Sequence, residues 1–294
     1  MPLMIDKAFV VKQQFDSGQI TTYEQVSDLL ASSVLVQKLL SKDFNEDALN
    51  LTNRLTELSE IPFAGHMQQV KEWAKKLVAQ SFCGEGFSLS GKSDYILSCY
   101  NSMITSLLIR LDYHDKESVR KGIDWILNYQ NISRNSVNKW EGSGVRKYGG
   151  CMKSTPCYIG VVKAMIALSD YKRQDGYQYD KTLEDKLSKG LEYILEHQIF
   201  MRLSDKTPIT KDITKITYPF SYKTNIIEIL RLLKDNGLDS DNRCVSAKDF
   251  LIARKKKDGY WKVNTFYPPK AWVMFDVTKE PGWWVTQEIK KLLL

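Results

Sequence analysis

The sequence contains a repeated helical pattern that limits the folds it can adopt. Apolar residues recur at helical spacing around Trp125, and the same arrangement returns around Tyr193 and Phe250. The spacings are similar (193 − 125 = 68 and 250 − 193 = 57), and an earlier copy lies around Trp73. A single amphipathic hairpin cannot cover its own apolar face, so repeats of this length predict units that stack on one another.

More uniformly apolar segments lie between these amphipathic copies. They share one phase, with an apolar pair about four residues after each start, and they span residues 99–108, 157–166, 222–230 and 284–292. The alternation predicts an all-α fold of paired helices, in which the apolar helices are parallel and begin at one rim. The first 64 residues lack the repeat and predict an N-terminal extension with helices over 23–40 and 47–58. The repeat domain is expected over 65–294.

The composition is that of a folded chain with a large core. Apolar residues make up 43% and charged residues 26%, and 42 basic against 35 acidic residues give a net charge of +7. The basic residues are interspersed except at 254–257, and no basic-aromatic module accompanies them, which disfavours nucleic-acid binding. No apolar stretch approaches the ~18 residues of a membrane span. Five cysteines and the absence of a signal segment predict a cytoplasmic protein with reduced thiols.

The loop at 255–261, Lys-Lys-Lys-Asp-Gly-Tyr-Trp, resembles the Q-x-x-x-G-x-W repeat of terpenoid cyclases, with Lys in the place of Gln. With the helix alternation, the chain from Val70 onward resembles the α/α-toroid superfamily of terpenoid cyclases and protein prenyltransferase β-subunits. It is most similar to short squalene-cyclase-like bacterial proteins. The resemblance implies inner and outer rings of helices around a central ligand cavity. The cyclase motif D-x-D-D is absent, since its nearest approach at 239–242 reads Asp-Ser-Asp-Asn.

Four cysteines fall at equivalent points of two repeats. Protein prenyltransferases bind zinc through a Cys at the start of an inner helix, and Cys157 resembles it in placement, where the helix dipole favours a thiolate. Cys99 occupies the matching point one repeat earlier, and loop cysteines precede the two at Cys83 and Cys151. A site of all four would suit Zn²⁺, with iron–sulfur ligation as an alternative. Simple packing of buried cysteines is the other interpretation.

The candidate catalytic residues are Cys157 and His197, which ends an amphipathic helix close to the same rim. Aromatic residues near the inner-helix starts are expected to line an apolar cavity, namely Tyr100, Tyr158, Phe220, Tyr222, Trp261 and Trp284. These residues predict binding of a hydrophobic, isoprenoid-like or other lipid-like ligand, with cyclase-like or prenyl-transfer chemistry. A non-catalytic toroid that binds a peptide or protein partner is the alternative, and both an enzyme and a binding module are consistent with the sequence.

Overall fold

The computed structural model describes residues 5–41, 43–136, 139, 140, 142, 155–264 and 272–294. This part of the chain is all helical, as predicted, and contains no strand longer than an isolated bridge. Its α-helices are α1 Lys7–Asp16, α2 Ser27–Ala31, α3 Val34–Leu39, α4 Ala48–Leu58, α5 Gln68–Ser81, α6 Ser98–Arg110, α7 Lys116–Tyr129, α8 Tyr158–Lys172, α9 Lys181–Glu196, α10 Ile226–Asp235, α11 Val245–Ile252 and α12 Trp283–Leu293. Within these ranges no helix is both long and apolar enough to pass through a membrane.

A glycine lets each of two amphipathic helices pack closely on its apolar partner. A Cβ at Gly122 of α7 would lie 2.2 Å from Thr105 Oγ1 of α6. A Cβ at Gly190 of α9 would lie 2.0 Å from Met165 Sδ of α8. The two glycines are separated by the repeat offset (190 − 122 = 68), and the third copy has Ala247 at this point. The repeat seen in the sequence is therefore also a repeat of helix packing.

The more apolar helices α6, α8, α10 and α12 follow one another side by side. Helices α6 and α8 run in parallel, because their starts meet at Gly160 and their ends at Asp170. The ends of α8 and α10 likewise meet through Ser169 and Asn236, and those of α10 and α12 through Lys234 and Lys291. Three polar contacts join successive neighbours, namely Ser106 to Asp170 between α6 and α8, Lys163 to Glu228 between α8 and α10, and Arg231 to Glu288 between α10 and α12. The start-to-start alignment predicted for these helices is thus present.

Two predicted helices have different bounds in the structure. The expected helix over 23–40 is divided into α2 and α3, because Ser33 leaves the helical conformation and accepts a hydrogen bond from Val36 N (3.1 Å) as an N-cap. The apolar helix expected from Tyr222 begins only at Ile226, because Asn225 caps it by accepting from Glu228 N (3.0 Å). Tyr222 therefore lies on the loop before α10.

Contacts cross the boundary expected at residue 64. Helix α4 packs on both α5 and α6. Glu57, near the end of α4, accepts a hydrogen bond from Val273 N, and Glu60 pairs with Arg231 of α10. The segment before residue 64 therefore shares buried polar contacts with the repeat helices.

Candidate functional site

The interior where α4, α6, α8 and α10 meet is polar and nearly full. Its cavity has a volume of about 20 Å³, and the lining includes the charged residues Glu60, Arg110, Lys163 and Glu228 together with Ser102 and Phe220. This space holds about one water molecule. Ligand cavities are on the order of 300–1,000 Å³ and mostly apolar. The described cavity between these four helices is therefore too small and too polar for a lipid-like ligand.

Glu60 is the centre of a buried ion-pair cluster. Arg231 donates to both of its oxygens (2.6 and 2.7 Å), Arg110 Nη1 lies 2.9 Å from Oε1, and Tyr218 donates to Oε2 (2.9 Å). Burial alone would raise the pKa of this carboxyl, but the two arginines and Tyr218 outweigh burial and lower it to about 2. Glu60 is therefore a structural anion that joins the ends of α4, α6 and α10.

A second buried ion pair lies nearer the starts of the apolar helices, between α8 and α10. Lys163 Nζ is 2.6 Å from Glu228 Oε1 and also donates to Ser221 O (2.6 Å), while Thr224 donates to Glu228 Oε2 (2.6 Å). Burial lowers the pKa of Lys163, and the charge of Glu228 opposes that effect. The neighbouring Ser102 hydroxyl is buried and has no hydrogen-bond partner in the described structure.

The six aromatic residues expected around one cavity are dispersed. Phe220 lines the central cavity, where Arg231 stacks over its ring at 4.6 Å. Tyr100 and Tyr222 stack on each other with ring centroids 5.1 Å apart, and the Tyr222 hydroxyl lies 3.8 Å from Cys99 Sγ. These two tyrosines form a pair near the starts of α6 and α10.

The other three aromatics of that set pack elsewhere. The Tyr158 hydroxyl donates to Ile199 O (2.5 Å), beyond the end of α9. Trp261 is fully buried and donates through Nε1 to a carbonyl of α11 (2.7 Å). Trp284 packs edge to face on Phe9 at 5.2 Å. Trp284 also stacks on Tyr218, which contacts Phe220. Of the six residues, Phe220 is the one that lines the described central cavity.

Three of the four cysteines proposed as metal ligands lie within the described residues. Cys83 Sγ contacts Gly86 O (3.2 Å) in the loop after α5, and Cys99 contacts Tyr222. Cys157 is the N-cap residue of α8, and Cys151 lies outside the described residues. No three His, Cys, Asp or Glu side chains of the described ranges gather where they could hold a metal ion. Zinc and iron–sulfur ligation thus remain predictions without geometric support.

Cys157 and His197 belong to one helix pair. His197 follows the last residue of α9, and its ring lies 5.3 Å from the Tyr158 ring and 4.8 Å from the Tyr193 ring. Its Nδ1 is 2.8 Å from Met201 O, whereas its buried Nε2 has no partner in the described structure. The start of α8 and the end of α9 therefore meet at His197.

Tyr193 connects this place to the outer surface. Burial raises the pKa of its hydroxyl, a hydrogen bond from Arg134 opposes the increase, and the charge of Cys157 adds to it. Arg134 and Tyr193 also line a large groove of about 820 Å³. The candidate residues Cys157 and His197 thus lie beside the edge of an open groove, away from the centre of the helix array.

The groove follows the outer helix α9. Leu187 and Leu191 contribute buried side chains to its lining, Ser188 and Lys189 are exposed in it, and the link between α10 and α11 forms the opposite wall through Leu238. Its volume lies within the range of ligand-binding depressions. Its length and openness suit a chain segment better than a compact small molecule.

Two central charged residues carried a sequence signal that the repeat pattern alone did not use. Lys163 interrupts the apolar run 161–168, and Glu228 interrupts the apolar run 226–230. A charge on an otherwise apolar helix is rarely buried without a partner. Opposite charges on consecutive apolar helices therefore indicated a buried pair, whereas Glu60 lies in a polar sequence and had no such signal.

No protein-family model, no curated protein and no solved structure matches this chain. The similarity to α/α toroids therefore rests on the repeat spacing and on the loop at 255–261.

Proposed function

We propose that this chain is an α/α-toroid binding protein that holds an extended, acidic peptide segment of a partner in the groove along α9. The observation that carries this proposal is the open groove of about 820 Å³ along α9, whose lining includes the cations Arg134 and Lys189. The almost filled polar centre supports the same conclusion, because it leaves the outer surface as the place for a ligand.

The dimensions of the groove favour a short extended peptide. Its lining runs along α9 from Glu184 to Glu196. Twelve helical steps at ~1.5 Å each correspond to about 18 Å. An extended chain rises ~3.3 Å per residue, so about five or six peptide residues cover this length. Apolar peptide side chains can contact the leucine-containing floor while the peptide backbone stays at the open surface.

The charges beside the groove favour an acidic partner. Burial lowers the pKa of Lys186, and the positive charges of Lys139 and Lys189 lower it further. Arg134 also lines the groove, beside Tyr193. Such a cluster attracts an acidic segment and speeds its association. The lining also holds the carboxylates of Glu184, Glu192 and Glu196. Glu184 pairs with Lys172 (2.8 Å) and Glu192 with Arg243 (2.5 Å).

The isoprenoid hypothesis has less support. It requires an apolar central cavity, whereas the central cavity of the described residues is about 20 Å³ and charged. A peptide or protein partner, the alternative that the sequence left open, is therefore the function we favour.

Selection from a phage-displayed library of random hexapeptides tests this proposal. We expect enrichment of sequences that combine Asp or Glu with apolar residues, and at least a 10-fold weaker affinity of the enriched peptide for Lys189→Glu. Lys181→Glu is the matched control, because Lys181 is exposed on the same helix outside the groove lining. It should reduce affinity less than 2-fold.

Three results would contradict the proposal. The first is a library that yields no enriched sequence, and the second is an equal effect of the two lysine substitutions. The third is tight binding of a single-stranded oligonucleotide with a steep dependence on salt, which would assign the cations to nucleic acid instead.

A further inference from the structure

We propose that the outer face of α11 and the loop that follows it bind the surface of an anionic lipid bilayer. The loop is the one tight basic run of the sequence, residues 254–257, and is called the basic loop below. This site lies outside the lining of the α9 groove and does not depend on peptide binding there. It rests on the exposed charges of the basic loop, on its hydrogen-bonded backbone, and on apolar side chains exposed next to it.

The basic loop places four positive charges next to one another at the surface. Its residues read Arg-Lys-Lys-Lys, all four are exposed, and none forms an ion pair with a carboxylate of the described residues. The acidic residues nearest in sequence are Asp249 and Asp258, which are also exposed. Asp258 accepts a hydrogen bond from Tyr260 N (3.1 Å). The four cations are therefore available to a negatively charged partner.

Backbone hydrogen bonds hold the basic loop in one conformation. Lys256 N donates to Tyr260 O (2.9 Å), and Gly259 N donates back to Lys256 O (2.9 Å). Lys255 N donates to Ile252 O (3.1 Å) at the end of α11. Gly259 has a φ of +86°, which glycine adopts without strain. Because the backbone that carries the charges is already ordered, less entropy is lost when a partner binds.

Further lysines lie beside the basic loop. Lys290 of α12 is exposed, and its Nζ lies 5.8 Å from the centroid of the Tyr260 ring. Lys262 Nζ donates to Lys279 O (3.0 Å), and Lys279 is exposed. The positive charge thus extends beyond the four residues of the loop. Clusters of this kind bind the anionic headgroups of a bilayer.

The outer face of α11 is apolar where a surface helix is usually polar. Ala247 and Leu251 are buried against the protein, whereas Val245 and Ile252 are 51% and 54% exposed. The exposed pair is seven residues apart (252 − 245 = 7), which places both side chains on one face of the helix, opposite the buried pair. Exposed apolar side chains next to cations are the combination by which a helix binds the boundary between headgroups and acyl chains.

A nucleic acid matches this surface less well than a bilayer. Its phosphates would also be attracted to the cations, but its bases bind by stacking on exposed aromatic rings. The aromatic rings beside the basic loop, Tyr260 and Trp283, pack edge to face on each other at 4.9 Å. The side chains exposed on α11 are the aliphatic ones of Val245 and Ile252, which favour acyl chains over bases.

Co-sedimentation with vesicles tests the proposal on the full chain. Vesicles of phosphatidylcholine alone are compared with vesicles of equal parts phosphatidylcholine and phosphatidylglycerol. We expect at least a 10-fold stronger partition onto the anionic vesicles at low salt. Added sodium chloride should weaken that partition, because salt screens the attraction between exposed charges.

Charge reversal in the basic loop should remove most of the binding. Lys256→Glu with Lys257→Glu should weaken partition onto anionic vesicles at least 20-fold, because each cation near such a surface contributes about 5-fold. Lys71→Glu with Lys75→Glu is the matched control, because these lysines are exposed on α5 and the change in net charge is the same. The control should weaken partition less than 2-fold.

Two single variants complete the design. Ile252→Ser keeps every charge and should weaken partition onto anionic vesicles at least 3-fold, because a half-exposed apolar side chain no longer enters the bilayer. Lys189→Glu, in the lining of the α9 groove, should leave partition unchanged. Vesicle binding and peptide binding can therefore fail independently of each other.

Three results would overturn the proposal. The first is equal partition onto neutral and anionic vesicles, and the second is an equal effect of the two double lysine variants. The third is binding of a single-stranded oligonucleotide, in the absence of vesicle binding, that Lys256→Glu with Lys257→Glu abolishes and Ile252→Ser leaves unchanged. That result would assign the basic loop to nucleic acid.

Discussion

Lys163 and Glu228 form a buried ion pair at 2.6 Å between two consecutive apolar helices, α8 and α10. The side chains are only 5% and 8% exposed. Each is the charged residue of an otherwise apolar run, so the pair fixes the register of the two helices. Because an unpartnered charge in this place is costly, the pair disfavours any register in which the two residues separate.

Loss of one partner should destabilise the protein strongly. Lys163→Met leaves Glu228 buried without its cation, and we expect a loss of about 3–5 kcal/mol in the free energy of unfolding. Urea denaturation followed by circular dichroism measures it. The exposed pair of Lys116 and Asp112 is the control, and Lys116→Met should cost less than ~1 kcal/mol.

Replacement of both partners tests whether Lys163 and Glu228 are energetically coupled. The double variant Lys163→Met with Glu228→Leu should recover most of the stability lost in the single variant, because two apolar groups then meet in place of two charges. A double variant as unstable as the sum of the two single variants would show that the residues act independently.

The Glu60 cluster should make the free energy of unfolding decrease at acidic pH. Its folded pKa of about 2 lies below the ordinary glutamate value of 4.5, so its contribution is complete above pH 4.5 and is lost as the pH falls towards 2. Glu60→Gln should cost about 3–5 kcal/mol at pH 7, because Arg110 and Arg231 lose a buried anion. The difference between variant and wild type should shrink at pH 3, and a constant difference would contradict this account.

Asp276 should contribute a pH dependence of stability with the opposite sign. It accepts hydrogen bonds from Trp284 N (3.1 Å) and Val285 N (2.9 Å) at the start of α12, yet burial raises its pKa from 3.8 to about 6. The unfolded chain therefore releases this proton first, and stability falls as the pH rises from 3.8 to 6. Relative to Asp276→Asn, the wild type should be more stable at pH 4 than at pH 7 by on the order of 2 kcal/mol.

The repeat glycines should be required for the close packing of the paired helices. Gly122→Ala places a methyl group against Thr105, and we expect a loss of about 1–3 kcal/mol in thermal or urea unfolding. Thr105→Ala in the same chain removes the obstructing hydroxyl and should restore part of that loss. Ser188→Ala, at an exposed position of α9, is the control and should be nearly neutral. No loss in Gly122→Ala would contradict the packing described for α6 and α7.

The sequence predicted the helices more accurately than the site. Apolar periodicity located α6, α7, α8 and α12, because burial of one helix face leaves a pattern within a single segment. The bounds at Ser33 and Asn225 were missed because capping side chains compete with helix continuation through single local hydrogen bonds.

The site depends on contacts between distant segments, which periodicity does not report. Trp261 and Trp284 are of a residue type that often lines ligand cavities, but their rings pack between helices. The partner of Glu60, Arg231, is 171 residues away in the chain. By contrast, Cys157 and His197 lie at helix ends, as their positions in the apolar pattern predict.

Blocking the outer groove and the central cavity in separate variants shows which of the two holds the peptide. The affinity of the peptide enriched from the library is measured by isothermal titration calorimetry for wild type, Ser188→Arg, which fills the groove, and Ser102→Val, which fills the central cavity. Thr182→Arg, on the same helix outside the groove lining, controls for the added charge. We predict at least a 10-fold loss for Ser188→Arg and less than a 2-fold change for the other two. A loss confined to Ser102→Val would contradict the account.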